Sequence, residues 1–499
     1  MQSYLIGVDI GTGSAKAVAL NSSGQVIGSS QIHYSMLVTP HGYSEQDTDI
    51  VWHAFVNCIR EVVNTLQHVP FAVSLSSCMH SLIVVNEHHL PVTHLISWAD
   101  TRSEKIADEI RASEIAELIY RQTGTPIHSM SPLCKIIWIN KHAPGIFAKA
   151  HKFISIKEFI WHKLFNAYQV DQSIASGTGL FNIETLNWNN DSLKLCGISS
   201  TALSEIVSTS FIRDEINPSI AAELSIPAGT QFCIGASDGC LANLGSFAME
   251  KGTAAITIGT SGAVRVANES AIFNFDTMTF NYVLDEETFI CGGPVNNGGN
   301  ILKWLIHSFL NGTGENKNEY DDFFKKIDTI PSGSQGLLFL PYLHGERAPV
   351  WDEKASGVYF GIKSYHNQSH FLRAGLEGVC YVLKNILQTI EQSTSLIQQL
   401  NVSGGFINSE LWVQILADVT GKKICLVQTE DASAIGAAFQ CMKALNKIKN
   451  YSLLQPVNNI IVEPVENNHT VYEKYYPVFK SLYTNIKDSM HQLDEINNR

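Results

Sequence analysis

Residues 4–20, YLIGVDIGTGSAKAVAL, and residues 253–267, TAAITIGTSGAVRVA, follow one plan: an apolar strand, a turn of glycine and small hydroxyl residues, then a second apolar strand. The copies stand about half of the 499-residue chain apart. That spacing excludes a solenoid of short repeats and points to two related halves. A single hairpin of this kind reads as an ordinary turn. The turns Gly11-Thr12-Gly13-Ser14 and Gly259-Thr260-Ser261 nevertheless present consecutive backbone N–H groups that no bulky side chain crowds, a geometry suited to phosphate oxygens. Two of them facing each other would clasp one triphosphate.

The remaining pattern supports an α/β chain. A third strand is expected over 25–35. Helical periodicity over 48–66 places Ile50, Val51, Ala54, Phe55, Cys58, Ile59 and Val62 on one face. Strands follow at 71–77 and 82–85, and strands then alternate with helices. The length is too great for one core of ordinary size, so a division near Gly239–Glu250 is expected, with units 1–245 and 246–499. Phe479, Leu482, Tyr483, Ile486, Met490 and Leu493 predict a terminal helix docked on the fold. With 45% hydrophobic and 16% charged residues the chain is a folded one, and its net charge of -13 argues against nucleic-acid or anionic-membrane partners. The ten cysteines form no CxxC pair, and Cys58, Cys233, Cys380 and Cys425 sit in apolar runs as small hydrophobes. Without a signal-type N-terminus or a membrane-length apolar run, a cytoplasmic location is expected.

Several residues carry candidate chemistry. Asp9 ends the first strand, where a carboxylate can hold a hydrated Mg²⁺ or simply form the turn. Lys16 adds a cation beyond that turn. In NVSGGFINS (401–409), Gly404 and Gly405 allow close approach of a flat ring and Asn408 offers an amide. This suits adenine or ribose, and equally a plain strand-to-helix turn. Neither a P-loop nor a dinucleotide fingerprint occurs. Asp238 lies in FCIGASDGCLANLG (232–245), at the end of an apolar strand before a helix. It fits a general base beside the cleft and, from spacing alone, an N-cap equally well.

Together with MSPLCKIIWINKH (130–142) and GVYFGIKSYHNQSHFLRAGLE (357–377), these features resemble the FGGY carbohydrate kinase family over nearly the whole chain. The second segment departs from the family pattern at Gly375, where a helix glycine costs about 1 kcal/mol against alanine. Within the family, SSCMHSLIVVNE (76–87), ISWADTRSE (96–104) and GGPVNNGG (292–299) are most similar to members acting on gluconate, with xylulose or another polyol the alternative. The resemblance implies two actin-like (ribonuclease H-like) ATPase domains with the active site in the cleft between them. It implies ATP and Mg²⁺, a small sugar acid or sugar as substrate, and a homodimer. Asp238 would be the general base and Asp9 would orient the Mg–ATP. Thr12, Gly13 and Ser14, with Lys16, would hold phosphates from one side, and Gly259, Thr260 and Ser261 from the other. Gly299, Gly405 and Asn408 would line the nucleotide pocket. Met79, His80, Asp100 and Arg102 would meet the sugar. A sugar acid calls for a cation, and Arg102, Lys135, Lys157, Arg265 and Arg347 are candidates, each equally suited to an ordinary ion pair.

Overall fold

Both expected hairpins form, as Tyr4–Ile10 with Ser14–Asn21 and as Thr253–Ile258 with Gly262–Asn268. The structure, a computed structural model, describes residues 3–39, 42–427, 431–451 and 460–497. Each hairpin is the centre of its own sheet. In the first, a third antiparallel strand, Val26–His33, lies outside Ser14–Asn21, while Ala72–Ser77 and Gln231–Ser237 extend the other side in parallel. In the second, Thr288–Val295 takes the antiparallel place, and Gln399–Ser403 and Lys423–Leu426 the parallel ones. The five core strands of each sheet therefore share one order and one set of directions. This is the mixed α/β architecture of two duplicated units.

The helix over 48–66 forms as Thr48–Leu66, capped by the Asp47 side chain, which accepts from the N–H groups of Asp49 and Ile50. The terminal helix runs over Glu466–Asn497 and buries Phe479, Leu482 and Met490. Leu493 departs from its expected place: it is 60% exposed, because the last turns run past the surface that the helix covers. All ten cysteines are buried and free.

Helix Ala432–Ala444 lies in the chain between two strands of the second sheet, Lys423–Leu426 and Ile460–Val462, yet packs on the first. It also crosses helix Asp238–Gly245, which follows directly from the first sheet. The contact is backbone against backbone. A Cβ on Gly7 would stand 1.9 Å from the Ala434 carbonyl oxygen, and one on Gly436 would stand 2.0 Å from that of Leu241. Only glycine allows this approach. The N-terminal ends of these two helices open onto the cleft between the sheets.

Candidate active site

Two cavities meet in that cleft and share Thr257. The larger, about 670 Å³, is lined by Asp9, Ser14 and Lys16 of the first hairpin, by Ser403–Asn408 without Phe406, and by Asp431–Ala434 at the start of the exchanged helix. Gly404 has φ +101°, and a Cβ there would lie 2.4 Å from the Ile258 carbonyl oxygen, so the strand can turn here only with glycine. Gly405 faces open space, and Asn408 Nδ2 donates to the Gly405 carbonyl at 3.1 Å. Lys16 forms an ion pair with Asp431. Asp9 accepts a hydrogen bond from Ser76 Oγ at 2.6 Å. Burial holds its carboxyl above the usual range, while Ser76 and Lys16 pull it down. The described residues contain no cluster of three or more potential metal-ligating side chains. A nucleotide-borne Mg²⁺ needs only one or two carboxylates beside phosphates and waters, and Asp9 fits that donor set.

The hairpin turns use part of their own donors. The Gly11 N–H bonds the Ser14 carbonyl at 2.9 Å, and the Gly259 N–H bonds that of Ser261 at 2.9 Å. Gly13 has open space around its Cα. Gly299, expected in the nucleotide pocket, stands behind the second turn. It opens helix Gly299–Leu310, gives its N–H to the Gly259 carbonyl at 2.7 Å, and is not among the residues lining either cavity. Its part is to brace the second turn.

The smaller cavity, about 320 Å³, has Thr12 and Gly259–Gly262 among its lining residues, with Asp238, Met79, His80, Trp98, Arg265, Tyr282 and Arg347. Asp238 is the first residue of its helix. The N-cap is Ser237, whose side chain accepts from the Cys240 N–H, so the capping alternative for Asp238 falls. Its own Oδ1 accepts from the Gly239 N–H at 2.7 Å. Burial, then the charge of Asp9, pushes the Asp238 carboxyl up to about 7, against the pull of Arg265. His80 has φ +61°, a conformation held from two sides. Its Nδ1 lies 2.7 Å from the Gly177 carbonyl, and its own carbonyl accepts from Lys135 Nζ at 2.6 Å. The Nδ1 contact fixes that nitrogen as the donor, which leaves Nε2 to accept from Tyr282 OH at 3.3 Å. Burial lowers His80 to about 3, so the ring is neutral. Trp98 Nε1 donates to Thr12 Oγ1 at 2.9 Å and ties the wall of the smaller cavity to the turn of the first hairpin.

The structure places Asp100 and Arg102, expected as sugar contacts, outside both linings. Arg102 donates from Nε to Asp100 at 2.7 Å and from Nη2 to Glu45 at 2.5 Å, with its guanidinium 4.2 Å over the Tyr43 ring. Asp100 also accepts the Ser44 N–H at 2.7 Å. The pair satisfies itself and is not part of either lining; it supports the segment that carries Trp98. Of the candidate cations, Lys157 is held by Asp171 at 2.7 Å and by the Ala236 carbonyl at 2.9 Å. Lys135 is held by the carbonyls of His80 and Ser97. Arg265 and Arg347 alone among the five reach a cavity. Trp98, Tyr282 and Asp431 are among the lining residues that sequence reasoning passed over. Trp98 stands inside the quoted ISWADTRSE segment, whereas Tyr282, in a strand of no special pattern, carried no signal.

Comparison with known proteins follows this geometry. The model for the FGGY family of carbohydrate kinases, N-terminal domain, matches residues 4–245, and that for the C-terminal domain matches residues 254–445. A gluconokinase of Bacillus licheniformis is 37% identical over 99% of this chain and 98% of its own. One of Bacillus subtilis is 37% identical over 98% of each. A xylulose kinase of Staphylococcus epidermidis is 27% identical over the full length of both chains. Among solved structures, a gluconate kinase from Lactobacillus acidophilus matches with a TM-score of 0.94 at 29% identity, covering 99% of this chain and 100% of that one. A xylulose kinase from the same organism matches with a TM-score of 0.94 at 30% identity, covering 98% and 100%.

Proposed function

The chain belongs to the FGGY family of carbohydrate kinases, and from that premise we propose that it transfers the γ-phosphoryl group of ATP to the C6 hydroxyl of D-gluconate, giving 6-phosphogluconate and ADP. The observation that carries the reading is the 37% identity to two gluconokinases over essentially whole chains, against 27% for a xylulose kinase. In this reading ATP occupies the larger cavity, its base against Gly404–Asn408 and its phosphates between the two hairpins. Mg²⁺, when bound with the nucleotide beside Asp9, neutralises phosphate charge. The sugar acid occupies the smaller cavity.

Asp238 accepts the proton of the substrate hydroxyl as its oxygen bonds phosphorus and the bond from phosphorus to the ADP oxygen breaks. A carboxyl poised near 7 suits this, being ionised enough to accept a proton at neutral pH. Met79, neutral His80 and Tyr282 orient the carbon chain, and closure of 1–245 on 246–499 excludes water that would hydrolyse ATP. Among the described residues no helix is long and apolar enough to cross a membrane. The proposed working form is a cytoplasmic homodimer.

A xylulose reading has one specific support, the equal TM-score of 0.94 to a xylulose kinase structure. ADP release measured over a panel of gluconate, xylulose and glycerol separates the two. The expected outcome is preferred turnover of gluconate; turnover of xylulose without gluconate overturns the proposal.

A further inference from the structure

On that reading of the site, we propose that Arg265 selects a sugar acid over a neutral sugar by pairing with the substrate carboxylate deep in the smaller cavity. Arg265 lies three residues beyond Gly262 on its strand, about 10 Å from the phosphate turn along the strand direction. Strand alternation sets its direction. Ala263 and Arg265 line the cavity, while Val264 between them is fully buried in the opposite core.

Its guanidinium Nη1 is buried with no hydrogen-bond partner among the described residues. A buried cation with an unmet donor is costly unless an anion completes it. Asp238 does not fill that role, since no ion pair within 4.0 Å joins the two among the described residues. Arg265 instead passes along the backbone of Gly239, with Nε 3.4 Å from the place a Cβ would take. Arg347 differs. Its Nε donates to Asn296 Oδ1 at 2.8 Å, its Nη2 to the Val295 carbonyl at 3.1 Å, and its guanidinium lies 4.9 Å over the Trp98 ring. It is held before any substrate arrives.

The lining thus carries two guanidinium groups that repel each other, a neutral His80, and one carboxyl, Asp238. A neutral ketose or polyol leaves that positive excess unmet. An aldonate carboxylate meets it with charge-assisted bonds to a fork that already has a donor to give.

The test compares D-gluconate with D-glucitol, the neutral alcohol of the same chain length, on the wild type, Arg265→Gln and Arg265→Lys. Affinities are read from tryptophan fluorescence without nucleotide, since Trp98 lines the cavity, and turnover from ADP release. The expected result is that the preference for gluconate over glucitol falls about 100-fold in Arg265→Gln. In Arg265→Lys it falls less, because the charge remains without the fork. Should the glutamine variant fail to fold, the lysine variant reads the same ratio. A ratio unchanged from wild type, with both compounds weakened alike, overturns the proposal and assigns Arg265 to the phosphoryl group or to Asp238. A wild type that does not phosphorylate gluconate removes the parent reading as well, and that outcome is visible before any variant is made.

Discussion

Asp238 is the proposed base, and its environment sets two measurable consequences. Burial raises its pKa to about 7 from the 3.8 of an unstrained side chain. Kcat/KM of the free enzyme therefore falls as pH drops through about 7, because the protonated acid accepts no proton. The same shift acts on stability. The folded state binds this proton more tightly than the unfolded state, so the contribution of Asp238 to stability is lost as pH rises from about 4 to about 7. Asp238→Asn is thus expected to lower kcat by about 10²- to 10⁴-fold. ATP affinity should stay near wild type, and Tm at pH 8 should be equal or higher; a fall in Tm there would remove the argument. Lys135 works through the backbone. Its ammonium donates to the carbonyls of His80 and Ser97 at 2.6 and 2.7 Å, and burial lowers its pKa to about 7. Lys135→Met strands two buried carbonyls at about 1–3 kcal/mol each and frees His80 from its positive φ. A raised sugar KM at unchanged ATP affinity, together with a lower Tm, is the expected outcome in steady-state kinetics and calorimetry. The place of Asp238, Met79 and His80 on one cavity was legible because short segments carry them. The self-satisfied Asp100–Arg102 pair was not, because its partners Glu45 and Ser44 lie more than fifty residues away in sequence.

At the scale of elements, the hairpins and the helix over 48–66 were legible because their patterns are local: alternation, a small-residue turn, an Asp47 cap. The meaning of Gly375 was not local. Sequence reasoning assigns it the ordinary helix cost of about 1 kcal/mol. In the structure it sits inside helix Gln368–Glu391, where a Cβ would stand 2.5 Å from Leu305 Cδ1 of helix Gly299–Leu310. Leu305 is fully buried, so it moves only by disturbing its neighbours. Overpacking of about 1–3 kcal/mol then outweighs the helix propensity gained. Gly375→Ala is expected to lower Tm by a few degrees in the wild type. In a Leu305→Ala background, where the crowding is gone, the same substitution is expected to raise Tm relative to Leu305→Ala alone. Equal effects in both backgrounds would show that the two helices are not coupled through this contact.

At the scale of the molecule, the duplicated sheets were foreseen from two short strings, but the exchanged helix was not. Nothing in residues 432–444 announces that they pack on strand Tyr4–Ile10, since that pairing is set by Gly7, more than 400 residues earlier. Helix Ala432–Ala444 begins at the larger cavity and helix Asp238–Gly245 at the smaller one, so on the proposed reading their crossing sets where Asp238 stands relative to the ATP phosphates. Ser433 Oγ reinforces this by donating to the Asp238 carbonyl at 3.2 Å. The spacing rests on glycine against main chain: Gly436 faces the Leu241 carbonyl, and a Cβ on Gly245 would stand 1.9 Å from that of Ala432. A carbonyl on a packed helix has no rotamer to adopt, so an added methyl moves a whole helix. Gly436→Ala should therefore lower kcat by more than about 10²-fold, as a displacement of about 1 Å at the reacting centre does. It should do so equally for every sugar tested, because the displaced groups serve phosphoryl transfer rather than sugar choice. A substrate-selective loss would instead mean that the crossing shapes the sugar cavity alone. Kinetics over the same panel, with circular dichroism to establish that the variant is folded, decides between them.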